Sequence, residues 1–215
     1  MESPRAQGRR AFVSTWPVTT TDWRVFLESW SKELIAADAD PGFPAEVVAS
    51  GWLGFPGATE KKLTALEERL DVQLPPSYRE FLAVSNGWRK TGRSIWRIWS
   101  TEEVDWFRVR NAFWIDAYVN PHGGLGDSSL TDEEYLVYGE AQDSVRFRVE
   151  YLETALEISD TGDSAIYLLN PKVVTPDGEW EAWFFASWLP GAIRYRSFAE
   201  LMEAEYRSFQ ARDTT

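Results

Sequence analysis

The chain has no cysteine and a single histidine, His122, in 215 residues. Without cysteine there are no disulfides, no thiolate nucleophile and no Cys-ligated zinc or iron–sulfur centre, which suits a reducing cytosol. One histidine excludes an HExxH zinc site and leaves a Ser-His-Asp triad resting on His122 alone. That residue lies in NPHGGLGD, where no nucleophile converges on it, and reads as an exposed loop histidine. No apolar run approaches the roughly 18 residues a membrane span needs. The start, MESPRAQGRRAFVSTW, carries arginines but no apolar h-region, so it reads as a basic arm rather than a secretory signal.

Lysine is missing from a long central stretch. Between Glu102 and Asp163 about 15 acidic side chains face about 4 arginines. The remainder is nearly balanced, so this stretch carries almost all of the net charge of −12. Nucleic acid is therefore not an expected partner, because phosphate contacts need Lys and Arg. The acidic segment suits steering toward a basic protein, or serves as a solvated face.

What is abundant is tryptophan, with 12 residues. Trp is good core material and is also enriched at interface hot spots. From Asp22, Trp23, Phe26, Leu27, Trp30 and Leu34 recur on one face of an amphipathic helix. PGFP at 41–44 breaks it, and a loop-rich segment follows. Thr59 caps a second helix with Leu63, Leu66 and Leu70 inward. LPPSYREFLAVSNG (74–87) is a third, started by prolines at its first turn and stopped by Asn86-Gly87.

Farther on, SIWRIW reads as a strand. Ser100 and Glu103 form a capping box that starts a helix, and Thr131 with Glu134 forms another. RFRVEYL alternates as a strand does. AIYLL is a buried strand stopping at Asn170-Pro171, and EWEAWFFASW is the return arm of a hairpin turning at Asp177-Gly178. A short strand (192–195) and a helix capped by Ser197 and Glu200 close the chain. Helices, then strands, then a helix give an α+β fold with a mostly antiparallel sheet.

Two carboxylate pairs invite chemistry. Asp160 and Asp163 resemble a fragment of a Ca²⁺ loop but lack its later ligands and closing Glu, so turn chemistry explains them. Glu179 and Glu181 share a strand face beside aromatics, as a glycosidase pair would, but no distant second carboxylate joins them. A solvated stripe is the expected arrangement. No metal, cofactor or catalytic residue is expected.

Gly57-x-Thr59, LxxLEERL (63–70) and LPPSYREFLAVSNG, followed in order by ISDTGDSAIYLLNP, GEWEAWFFASW and SFAELM, resemble the signature of the SUKH superfamily. That superfamily includes fungal cell-wall assembly and killer-toxin-resistance regulators and bacterial immunity proteins. The likeness covers roughly residues 50 to 210. The motif positions are Gly57, Leu66, Glu67, Leu74, Pro75, Tyr78, Phe81, Leu82, Asn86 and Gly87. The acidic insert near 120–143 departs from the pattern, and Gly162-Asp163-Ser164 stands where members commonly have Gly-Asp-Gly.

The resemblance implies a single SUKH-like α+β domain over 46–215, with an N-terminal arm and amphipathic helix over 1–45. It implies a non-catalytic, cytoplasmic binding protein. Its partner would be a cognate protein toxin, expected to be basic, with a nuclease as one candidate. The other reading is a regulatory or scaffold module. The expected contact residues are Glu102, Glu103, Asp105, Trp106, Asp127, Asp132, Glu133 and Glu134.

Overall fold

The structure, a computed structural model, describes residues 22–37, 42–92, 94–119 and 130–212. The first 20 residues, His122 and Asp127 lie outside them.

Helix α1 (Trp23–Ala37) buries Trp23, Leu27, Trp30 and Leu34, the stripe its spacing predicts. Residues expected to be loop instead form α2 (Ala45–Ser50), which Gly51 ends in the left-handed conformation at φ 65°. Glu46 in its first turn favours the helix N-terminus, and the segment is too short for periodicity to reveal. Thr59 caps α3 (Glu60–Leu70) by accepting from the Lys62 N–H. Helix α4 (Pro76–Val84) begins at the expected proline and buries Tyr78, Phe81 and Leu82.

Gly87 does not act as a left-handed helix cap. The C-cap residue of α4 is Ser85, in extended conformation. Gly87 has φ 100° and sits where a Cβ would meet the Ile98 carbonyl oxygen at 2.9 Å. It permits a close chain crossing rather than a helix stop.

The sheet has five antiparallel strands in sequence order: β1 (Asp105–Trp106), β2 (Leu156–Glu157), β3 (Ala165–Val174), β4 (Trp180–Ala186) and β5 (Ala192–Tyr195). SIWRIW contributes only isolated bridges, with Ile98 held between Trp88 and Ser159. The Ser100–Glu103 box forms, its carboxylate accepting from the Ser100 N–H at 3.1 Å and Oγ at 2.7 Å. It caps a single turn, because the chain then pairs as β1 with Leu156–Glu157. β3 runs on through Pro171. A register shift between Asn170 and Val174 absorbs the residue that lacks an N–H. RFRVEYL is not a strand: Val149–Thr154 is a 3₁₀ helix. Phe147 and Leu152 are both buried although five apart, which period-2 alternation forbids.

Alternation along β3 and β4 gives each sheet face its own core. Tyr167, Leu169 and Ala182 face α1, α3, α4 and the C-terminal helix α8 (Phe198–Arg212). There Trp23 meets Phe81 at 5.5 Å and Phe198 at 5.4 Å between ring centres, so α1 packs into the same core as the motif helix. Ile166, Leu168, Trp183 and Phe185 face the opposite way. They are covered by α5 (Phe107–Arg110), α6 (Ala112–Val119), α7 (Asp132–Tyr135) and the 3₁₀ segment. The described residues between Phe107 and Thr154, which carry much of the acidic stretch, thus form a layer over one face of the sheet.

Candidate protein-interaction surface

The motif residues are spent on the framework. Leu66, Leu74, Tyr78, Phe81 and Leu82 are buried. Glu67 accepts from the Leu74 N–H at 3.1 Å and from Arg79 Nε at 3.2 Å, locking the joint between α3 and α4. Pro75 is the extended residue before α4. A Cβ on Gly57 would lie 2.0 Å from the Ala83 carbonyl oxygen, so only glycine lets the chain cross the end of α4. Asn86 accepts from the Thr101 N–H at 2.8 Å and donates to Glu102 at 3.2 Å, tying the motif to the start of the acidic layer.

That layer is fastened to the sheet at two buried carboxylates. Glu157 on β2 accepts from Asn111 Nδ2 at 2.6 Å and from Arg110 Nη1 at 3.2 Å. Burial pushes its pKa up, against the pull of the Arg110 charge. Glu181 on β4 is 1% exposed, not part of a solvated stripe. It accepts from Tyr135 Oη at 2.7 Å, Tyr138 Oη at 3.0 Å, Asn170 Nδ2 at 2.9 Å and Trp183 Nε1 at 2.7 Å. Arg194 on β5, equally buried, lies 3.5 Å from the same carboxylate. Burial and the adjacent Glu181 charge push both tyrosine pKa values well above the ordinary phenol range. Glu179, two residues before, is half-buried and serves the other sheet face, accepting from the Ser77 N–H at 2.7 Å and Oγ at 2.6 Å.

The expected contact residues fall into two groups. Glu102 and Glu103 sit on the turn leading into edge strand β1, which Asp105 and Trp106 form. Asp132, Glu133 and Glu134 form α7, whose Tyr135 stands over β4. Three strand spacings, about 14 Å, separate β1 from β4.

Several of these carboxylates already have partners. Lys62 pairs with Glu102 at 2.6 Å, and this contact, aided by Thr101 and Asn86, holds the Glu102 pKa down to about 2. Arg97 pairs with Glu103 at 2.8 Å, and Asp105 accepts from the Trp106 N–H. In α7 the Thr131–Glu134 capping box is complete. Arg146 pairs with Glu134 at 2.9 Å, and Arg148 with Asp132 at 2.7 Å. The box and Arg146 keep the Glu134 pKa below the usual carboxylate range.

All four arginines of the layer have acceptors within the chain, since Arg108 donates to the Glu153 carbonyl and Arg110 serves Glu157, although Arg108 and Arg110 stay exposed. Glu133, Glu140 and Glu150 are exposed and make no ion pair among the described residues. Leu136 and Val145, in the same stretch of sequence, are exposed at 48% and 43%. Sequence reasoning found the charge but not these exposed apolar residues or the pairing of the arginines within the chain. It also missed Glu181, whose one local signal is a lone carboxylate inside the otherwise apolar WEAWFFA strand.

Among the described residues no group of His, Asp and Glu is arranged to hold a metal ion, and no helix is long and apolar enough to cross a membrane. A helix-flanked antiparallel sheet, with its motif residues committed to packing and much of its charge on one layer, leaves its surface rather than a cleft to carry function. The family model of SMI1 / KNR4 (SUKH-1) matches residues 57–209, and the chain belongs to that family. At the level of the family this carries a non-catalytic immunity or regulatory role exerted through protein contacts. Comparison with curated proteins returns no match. Helix α1 precedes the matched residues.

Proposed function

We propose that the chain is an immunity-type protein that binds and neutralises a cognate intracellular toxin with a basic surface, a nuclease being one such class. The observation that carries this reading is the outer face of the acidic layer around α7. There Glu133, Leu136 and Glu140 are exposed on and just after α7, and Val145 and Glu150 are exposed a few residues on, while the local arginines are bound to acceptors within the chain. Displayed carboxylates accelerate encounter with a cationic protein, and apolar side chains among them supply the dehydrated contact that holds it. The Glu102–Trp106 turn is a second contact region of the same sign on this reading. Catalysis has no part in it, and the protein works in the cytoplasm.

The test is co-expression with toxin domains encoded beside the gene, in a sensitive host, followed by purification of the pair. Rescue of growth with a stable 1:1 complex is the expected result. Neither rescue nor complex would overturn it and leave a regulatory interaction module as the better description.

A further inference from the structure

The buried pair Glu181–Arg194 does more than fill the second core. Its two members grip the same short stretch of chain by opposite chemistry. The Glu181 carboxylate takes the phenol hydroxyls of Tyr135 and Tyr138 at 2.7 and 3.0 Å. The Arg194 guanidinium donates to the backbone carbonyls of Tyr135 and Val137, and lies 4.2 Å from the centre of the Tyr135 ring. Gln142 completes the hold from the far side. Its side-chain amide accepts from the Arg194 N–H at 2.6 Å and donates to the Arg194 carbonyl at 3.0 Å, occupying the outer edge of β5. Segment 135–142 is irregular, a 3₁₀ turn at Gly139–Ala141 flanked by loops, so it has no ladder of its own to fix its position.

We propose that Glu181 and Arg194 are positioning residues that clamp the Tyr135–Gln142 segment, and with it α7, in one orientation over the sheet. That they thereby aim the docking face rests on the function proposed above; the clamp itself does not. A buried ion pair is seldom retained for stability, since apolar residues of similar volume serve as well or better. A buried pair can instead select one arrangement, and here each charge takes a different kind of group from one segment.

Hydrogen exchange on the full chain tests the clamp without any partner. In Glu181→Leu/Arg194→Met, which replaces the pair without leaving a lone buried charge, the denaturation midpoint is expected to fall, because the buried Asn170 and Trp183 donors lose their acceptor. Amides of 131–142 are expected to exchange at least tenfold faster, a larger change than in β3 and β4. Protection of 131–142 within twofold of wild type would overturn the proposal, as would a uniform loss across the sheet. Tyr135→Phe/Tyr138→Phe keeps the ion pair and removes only the phenol donors, so it stays informative if the first variant does not fold. It is expected to give the same local acceleration by at least threefold, and no local change overturns the proposal equally. A toxin that fails to bind leaves this result standing, so the two readings fail separately.

Discussion

Glu179 and Ser77 are 102 residues apart in sequence, and the Ser77 hydroxyl donates to the Glu179 carboxylate at 2.6 Å. The same carboxylate accepts from the Ser77 N–H, so a residue at the β3–β4 hairpin caps the N-terminus of α4. Helix α4 has no side-chain cap from its own N-cap residue, because Pro75 stands there. The motif that announces the family is therefore completed by a distant strand. Glu179→Ala removes the cap, and a loss of about 1 kcal/mol is expected. Urea denaturation checks it, and Glu179→Gln, which keeps an acceptor, should recover part of the loss.

Glu102 makes stability depend on acid. Its folded pKa lies near 2, below the ordinary value of 4.5. The contribution is therefore complete above about pH 4.5 and disappears as pH falls toward 2. More than half of the side chain is exposed, which limits the effect at neutral pH to about 1 kcal/mol or less. Thermal denaturation of wild type and Glu102→Gln should differ at pH 7 and converge by pH 2.

Ser164 adopts φ 55°, the left-handed conformation that costs a side chain and is free to glycine. The resemblance leads one to expect glycine here, and the serine takes the backbone conformation that glycine adopts freely. Its carbonyl accepts from the Ser187 N–H at 3.0 Å, so the turn holds β3 to the chain leaving β4. Ser164→Gly is expected to stabilise the fold by about 1 kcal/mol, and an unchanged or lower denaturation midpoint would argue against strain there.

Charge reversal separates steering from folding. Glu133 and Glu140 have no ion pair among the described residues, whereas Glu134 closes the cap of α7 and pairs with Arg146. Glu133→Lys/Glu140→Lys should slow association with the captured toxin several-fold at low salt and leave the fold intact, with the difference fading as salt rises. Equal rates at every ionic strength would remove the acidic face from the encounter.

The α+β class, the αα unit, the hairpin and the last helix are legible in the sequence because their signals are local. Thr59 and Thr131 each cap a helix within one turn of themselves. Leu63, Leu66 and Leu70 declare their buried face by spacing alone. The concentration of acid between 102 and 163 is legible too, since charge is counted without knowing where the chain goes.

Only the tertiary structure decided which carboxylates are spent. Glu181 looks like half of a surface stripe in EWE, yet it is sealed in the core, because donors at positions 135, 138, 170, 183 and 194 converge on it. SIWRIW has strand composition but finds only bridges, because β2 pairs with β1 and β3 on its two sides. Periods and caps are properties of a few neighbouring residues, so the sequence settles them by itself. The state of a carboxylate depends on groups brought from far along the chain, and folding alone supplies them.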